Sequence, residues 1–487
     1  MQEKAIDSQF SNAPNVAGRG DSEPRRDELE RLFRRYPEVP PEVILKNDLL
    51  RLGYWLMERA LEGAPVAMQT KSYRLFSHDL IPMSEMKGGE FKRVPEWIVS
   101  QGGAYDLRPV VVGVRLDPRS PYVVDMIDGR LQLLADGVPI SEVVFPEALP
   151  YTFKRLPDGT PYNEIIAYGY FVTAFRDCQY WGPDEECKFC DINSNARQMK
   201  QSRAFTFNAP VKPVDAVVEV ARAIEEDMAA EVGFHIPLQL AISGGTITGK
   251  LKGKDEDKFY LEYVAALKWS GKRRHIYLQT NAKDKETMKR YRAAGVDDHC
   301  ANIEVWDKRL FEWINPGKAK RIGWDQWVRW MIESVDVLRE GHVRPNLVGG
   351  VEMARPYGFN TVKEAVQSTR EGLDMLMRHG VFPRITTWSR EPGAYLVQSY
   401  EQPPVPLEYY AWIMREYYEL WGKYGLPLPE CGNHGHPHER FMGNSNGTYD
   451  DVFLLNAVPD YRERAHRAMV QGYKGVVTRW QRLPLTG

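Results

Sequence analysis

The chain has 487 residues, 43% hydrophobic and 27% charged, which suits a globular protein of two or three average domains or one barrel with extensions. A formal net charge of −2 removes any global electrostatic case for nucleic acid or an acidic membrane surface as partner. No apolar run reaches the length of a membrane span, and Met1 to Arg26 is polar with no signal-peptide core. With five cysteines, the expected location is therefore the reducing cytoplasm, where clustered thiols serve metals or catalysis more often than disulfides.

Residues 1–24 are polar with scattered Gly and Ser and read as a disordered tail. A charged helix is expected from Arg25 to Tyr36, stopped by Pro37, and a second after Pro40-Pro41 with Val43, Ile44, Leu49, Leu52 and Leu56 near helical spacing. Short strands and turns follow to about 150, clearest at Pro109–Val114 and around the turn Asp128-Gly129. Residues 25–160 are thus expected to form an N-terminal α+β domain.

Between 161 and 395 the pattern alternates strand with helix about six times. Expected strands are Ile165–Phe175, Leu238–Ser243, Ile276–Gln279, Ala301–Val305, Pro345–Val348 and Val381–Trp388. The clearest helical stripe is Trp324, Trp327, Val328, Met331, Val335 and Leu338, which reads as core. Another helix opens on the capping box Thr361-x-x-Glu364 and closes at Gly380. Such alternation implies parallel strands, doubly wound or in a barrel. Residues 396–487 form a C-terminal extension, with helices expected at 405–425 and 459–473 around a Gly/His-rich loop.

The chemistry concentrates after the first of these strands, in Cys178-Gln-Tyr-Trp-Gly-Pro-Asp-Glu-Glu-Cys187-Lys-Phe-Cys190, which holds three of the five cysteines. Three close thiols without a fourth suit a four-iron cluster with one iron left open, whereas structural zinc sites want four ligands. An odd number of thiols also argues against a disulfide framework. Further along, Ser243-Gly244-Gly245-Thr246 ends the second strand, Gln279-Thr280-Asn281 the third, and Glu304 sits in the otherwise apolar fourth, ahead of Pro316-Gly317-Lys318. Gly349-Gly350-Val351-Glu352 follows the fifth strand and Arg390-Glu391-Pro392-Gly393 the sixth.

In this order the motifs resemble the radical S-adenosylmethionine (SAM) superfamily. Its cysteines follow the first barrel strand and end Cys-x-aromatic-Cys, here Cys187-Lys188-Phe189-Cys190. The first gap, Gln179 to Glu186, is eight residues against the family's usual three, so the chain resembles a variant of the pattern. The resemblance implies a partial (βα)6 TIM-like barrel of α/β class with Cys178, Cys187 and Cys190 on a [4Fe–4S] cluster. It implies SAM contacts at Phe189, Gly244, Gly245, Thr246, Asn281, Glu304, Gly349 and Glu352. It also implies reductive cleavage of SAM to methionine and a 5′-deoxyadenosyl radical, an electron donor such as flavodoxin or ferredoxin, and a small-molecule substrate, with no nucleic acid and no membrane. Arg390, His434 and His436 are the catalytic candidates. Cys431, His434, His436 and His438 are a possible second metal group, with a lid or substrate loop the favoured alternative. Cys300 reads as a buried structural thiol at the start of the fourth strand. Two other readings remain open: a zinc-binding structural or nucleic-acid module using these cysteines with His434 or His436, and a degenerate barrel acting as a binding module.

Overall fold

The computed structural model describes residues 24–65, 68, 70–71, 78–82, 94–146, 148–202, 209–232, 238–269, 274–426 and 445–457. The expected tail, the group Cys431–His438 with His434 and His436, and the helix expected at 459–473 lie outside the described residues. Among those described, no helix is long and apolar enough to cross a membrane.

The first described helices are Arg25–Arg35 and Pro41–Leu52, each with a proline at its N-cap, and Pro41 fixes φ at the first helical position of the second. Strands β1 (Trp55–Leu56), β2 (Trp97–Gly102), β3 (Leu107–Gly113), β4 (Tyr122–Ile127), β5 (Arg130–Ala135) and β6 (Val138–Val144) form one sheet in the order β1-β4-β5-β6-β2-β3. The expected turn Asp128-Gly129 joins β4 to β5 with φ of 48° and 75°, and Asp136-Gly137 does the same after β5 with 48° and 82°. Two successive left-handed residues match the twist of a tight hairpin, which is why Asp-Gly recurs. The second helix is buried on its polar face as well. Lys46 pairs with Asp451 at 2.6 Å, both 0% exposed, and Asn47 Oδ1 accepts the Thr387 hydroxyl at 2.8 Å. Pairing of this kind is what lets charged side chains enter an interior.

The second half is a mixed α/β assembly around a curled half-barrel sheet. β7 (Phe171–Phe175), β8 (Leu238–Gly244), β9 (Arg274–Gln279) and β10 (Asp298–Cys300) form a parallel ladder in chain order, and β11 (Asn346–Gly349) pairs β12 (Arg384–Thr387). Single parallel pairs, His299 with Val343 and Glu304 with Leu347, connect the two ladders. Helices Val214–Val232, Glu256–Trp269, Lys285–Ala294 and Trp324–Leu338 pack one against the next. The capping box opens helix Val362–Arg378 as expected.

Three expectations are corrected. β7 starts six residues late, because Tyr162–Ile165 is a helical turn and Tyr168 (φ 59°) with Gly169 (φ 80°) reverses the chain. β10 lies upstream of the expected 301–305, where Glu304, at φ 67°, makes only the single bridge to Leu347. Cys300 therefore ends its strand instead of starting it; its thiol donates to Asn302 Oδ1 at 2.7 Å and accepts from Arg384 at 3.1 Å. Pro316-Gly317-Lys318 opens the short helix Pro316–Arg321.

The two halves join edge to edge. Gly113 at the end of β3 donates to the Ser445 carbonyl at 2.8 Å, Thr387 donates to that of Asn446 at 3.0 Å, and Gly447 pairs antiparallel with Thr386. A Cβ on Gly447 would lie 2.3 Å from the Ile385 carbonyl, so glycine is what permits the approach. Residues 445–447 thereby stitch the N-terminal sheet onto the flank of β12.

Candidate functional site

The cysteine loop is fastened through its backbone N–H groups. Cys178 N–H donates to Asn193 Oδ1 at 2.8 Å, Gln179 N–H to the Thr246 carbonyl at 2.9 Å, and Cys190 N–H to the Cys187 carbonyl at 2.9 Å. Gly245 sits so close beneath the loop that a Cβ would meet the Asp177 carbonyl at 1.9 Å and Cys178 Cα at 2.5 Å. We expect Gly245→Ala to lower the urea-unfolding free energy by about 1–3 kcal/mol, the usual cost of overpacking against backbone. Gly249→Ala, whose Cβ meets nothing nearer than Gln179 Oε1 at 3.8 Å, is the control. Equal midpoints for the two variants would refute the close approach.

The eight-residue first gap has a structural use. Tyr180 is 2% exposed and directs its hydroxyl to Asn281 Oδ1 at 3.3 Å. Glu185 takes two bonds from Arg321, at 2.8 and 2.9 Å, and its carbonyl accepts Gly317 N–H at 3.1 Å. The insertion docks on helix Pro316–Arg321 and fixes the wall that the second and third thiols share.

A cavity of about 290 Å³ opens at this end of the half-barrel. Cys178, Cys187, Phe189, Cys190, Gly244, Gly245, Thr246, Asn281 and Glu304 all line it, so the sequence-expected residues of the first four strand ends meet in one place. Gly349, Glu352 and Arg390 do not line it. Glu352 is buried behind β11, accepting the Thr369 hydroxyl at 2.6 Å, the Tyr409 hydroxyl, and Gly350 N–H at 2.8 Å. The Gly349 carbonyl is taken by Tyr410 at 3.0 Å and by Trp388 N–H. Arg390 reaches the carbonyls of Gln402 (3.1 Å) and Arg51 (3.4 Å), so its cation braces backbone and meets neither Glu391 nor the cavity. The structure thus keeps these three apart from the cavity: a glycine-rich or charged segment at a strand end gives no sign of which way it turns.

Electrostatically the site is tense. Burial pushes the Cys187 thiol up to about 12 and raises Cys178 and Cys190 as well, and the charge of neighbouring cysteines adds to the effect on Cys187 and Cys190. Lys318 supplies the opposing charge. Its Nζ donates to Glu304 Oε1 at 2.7 Å and the Asn302 carbonyl at 2.8 Å, and stands 5.1 Å over the Trp327 ring. Burial alone would lower its pKa, but the Glu304 carboxylate and the nearby cysteines carry it above the ordinary lysine value. Three half-buried thiols lining one cavity are a donor set that a cationic centre would relieve, since it would favour the thiolates that burial disfavours. Among the described residues, no three His, Cys, Asp or Glu side chains gather closely enough to hold a single metal ion.

Sequence reasoning missed part of the lining. Glu256 anchors Lys283 at 2.8 Å and accepts Ile247 N–H at 3.2 Å. Glu391, His78 and Arg115 reach the cavity from the β12 exit and from the N-terminal half. The Glu391 carboxyl is pushed up to about 7, chiefly by burial. Lys318 was legible only as part of a Pro-Gly-Lys segment, and nothing local marks His78 or Arg115.

No family model matches the chain, and no curated protein does. Among solved structures, SuiB of Streptococcus suis bound to S-adenosylmethionine aligns over 48% of this chain and 43% of its own, at 15% identity and TM-score 0.31. Methylornithine synthase (PylB) aligns over 52% and 64%, at 15% identity and TM-score 0.34. Coproporphyrinogen III oxidase (HemN) of Escherichia coli, described as a radical SAM enzyme, aligns over 54% and 55%, at 11% identity and TM-score 0.31. The chain spans less than two thirds of the length of each of these three. At such scores the likeness is partial, and functional inference rests on the geometry of the cavity.

Proposed function

We propose that this chain is a radical SAM enzyme in which Cys178, Cys187 and Cys190 hold a [4Fe–4S] cluster and the neighbouring strand ends bind SAM. The observation that carries the reading is the convergence of the three thiols with Gly244, Gly245, Asn281 and Glu304 in one cavity. When bound, the cluster supplies the electron that splits SAM into methionine and a 5′-deoxyadenosyl radical, which takes hydrogen from the substrate.

The chain's own contribution is positioning and exclusion of water. Gly244 and Gly245 present backbone without side chains, which suits the methionyl amino group. Asn281 and Glu304 offer an amide and a carboxylate to amino or ribose hydroxyl groups, with Lys318 holding the Glu304 carboxylate in place. Phe189 and the buried Tyr180 supply apolar wall beside the thiols. In this reading β7–β12 and their helices are the (βα)6 partial barrel, residues 25–160 and 396–487 are extensions of it, the substrate is a small molecule, and a protein such as flavodoxin or ferredoxin supplies electrons in the cytoplasm.

The test is anaerobic reconstitution with iron and sulfide, then dithionite and SAM, with 5′-deoxyadenosine as the readout. Stoichiometric iron and acid-labile sulfide with 5′-deoxyadenosine formation is the expected result. One zinc per chain, no sulfide and no SAM cleavage would sink the proposal in favour of a structural metal site.

A further inference from the structure

Arg115, in the segment that follows β3, is 1% exposed and lines the cavity. Its Nη1 donates to the Leu50 carbonyl at 2.6 Å and its Nη2 to the Thr387 carbonyl at 2.9 Å. Both acceptors are neutral. Among the described residues, Nε has no hydrogen-bond partner and no carboxylate lies within ion-pair distance. A buried guanidinium is ordinarily matched by a carboxylate, because desolvating its charge is otherwise unfavourable. The two acids nearest in charge are otherwise engaged. Asp79 is bound by Lys71 at 2.5 Å and by Leu116 N–H at 2.8 Å. Glu391 accepts His78 N–H at 2.9 Å and lies as close to the His78 ring nitrogen Nδ1. The wall also holds two ion pairs, Lys318 with Glu304 and Glu256 with Lys283, and a second guanidinium, Arg384, which donates to the Cys300 thiol.

Accepting the cavity as the substrate site, we infer that its substrate carries an oxyanion, a carboxylate or a phosphate, and that Arg115 is the residue that binds it. A planar guanidinium suits both groups, and the anion supplies a counter-charge at ion-pair distance, which no described carboxylate gives Arg115. The N-terminal sheet then has a role in the chemistry, since it delivers a specificity residue to the half-barrel across the seam at 445–447.

The test uses the full chain, cluster-reconstituted, with SAM at saturation so that its own carboxylate is in place. Thermal unfolding is followed against inorganic phosphate and against glutarate, with sodium chloride at matched ionic strength as baseline. A ligand that binds only the folded state raises the midpoint saturably. The wild type should show a saturable rise with one of the two anions, which also tells phosphate from carboxylate. Arg115→Gln should lose that rise and Arg115→Lys keep part of it. No saturable rise in the wild type with either anion, or an undiminished rise in Arg115→Gln, overturns the inference. If Arg115→Gln does not fold, wild-type crystals soaked in tungstate decide: an anomalous peak within hydrogen-bond distance of Arg115 supports the inference, and a peak only elsewhere overturns it. Formation of 5′-deoxyadenosine by the same preparation is scored separately, so a failed anion test and a failed radical reading remain distinguishable.

Discussion

Replacing Cys190 with alanine is expected to reduce 5′-deoxyadenosine formation to background and to lower bound iron and sulfide with it. Three thiols are the minimum that holds a four-iron cluster with one iron open, so the two that remain cannot retain it. Among the described residues, the remaining thiol is Cys300, fully buried and engaged with Asn302 and Arg384. Cys300→Ser, which keeps a hydrogen-bonding group of similar size, should retain its iron. The measurement is iron and acid-labile sulfide per chain beside the nucleoside product. Full iron loading in Cys190→Ala would refute the ligand set.

The second large effect is expected at Lys318. Lys318→Met leaves the Glu304 carboxylate buried and unpaired, with Glu304 and Lys318 both 7% exposed in the wild type. Breaking a buried pair from one side costs about 3–5 kcal/mol, most of it the desolvation of the stranded charge. The double variant Lys318→Met/Glu304→Leu should therefore be more stable than Lys318→Met alone, a coupling that chemical denaturation of the four proteins measures directly. Additive losses would show that the two side chains do not depend on each other. The pH dependence has a definite sign. Because the folded-state pKa of Lys318 is raised, its contribution is complete below the ordinary lysine value and is lost as pH rises through the folded value. Wild type and Lys318→Met should thus differ fully at neutral pH and converge only in strong alkali.

Much of the site could be read from the sequence because its signals are local. Three thiols within one loop, a glycine pair at a strand end, Asn281 at the next and Glu304 within an apolar stretch each stand out within a few residues. Parallel strand order then brings successive strand ends to one side of the sheet. The opening of helix Val362–Arg378 was legible for the same reason, at the Thr361–Glu364 box, whereas the end of the second helix was not: it stops at Leu52, and Leu56 lies in β1. The start of β7 and the register of β10 were not. An aromatic, β-branched run favours extended backbone but does not say which of its residues find a neighbouring strand, and left-handed φ at Tyr168 and Glu304 carries no composition signal outside glycine.

What the sequence determined by itself, then, is the grouping of three thiols, the alternation of strand and helix, and the glycines that bring the cysteine loop against β8. Only the tertiary structure decided that Glu352 turns inward to Tyr409 and Thr369, that Arg390 braces backbone, and that Arg115 reaches a cavity wall beside Thr387, 272 residues further along the chain. Contacts at that separation depend on how whole sheets pack, through apolar burial that is roughly additive and not directional. A residue's immediate neighbours in sequence therefore hold no record of which buried partner it will meet.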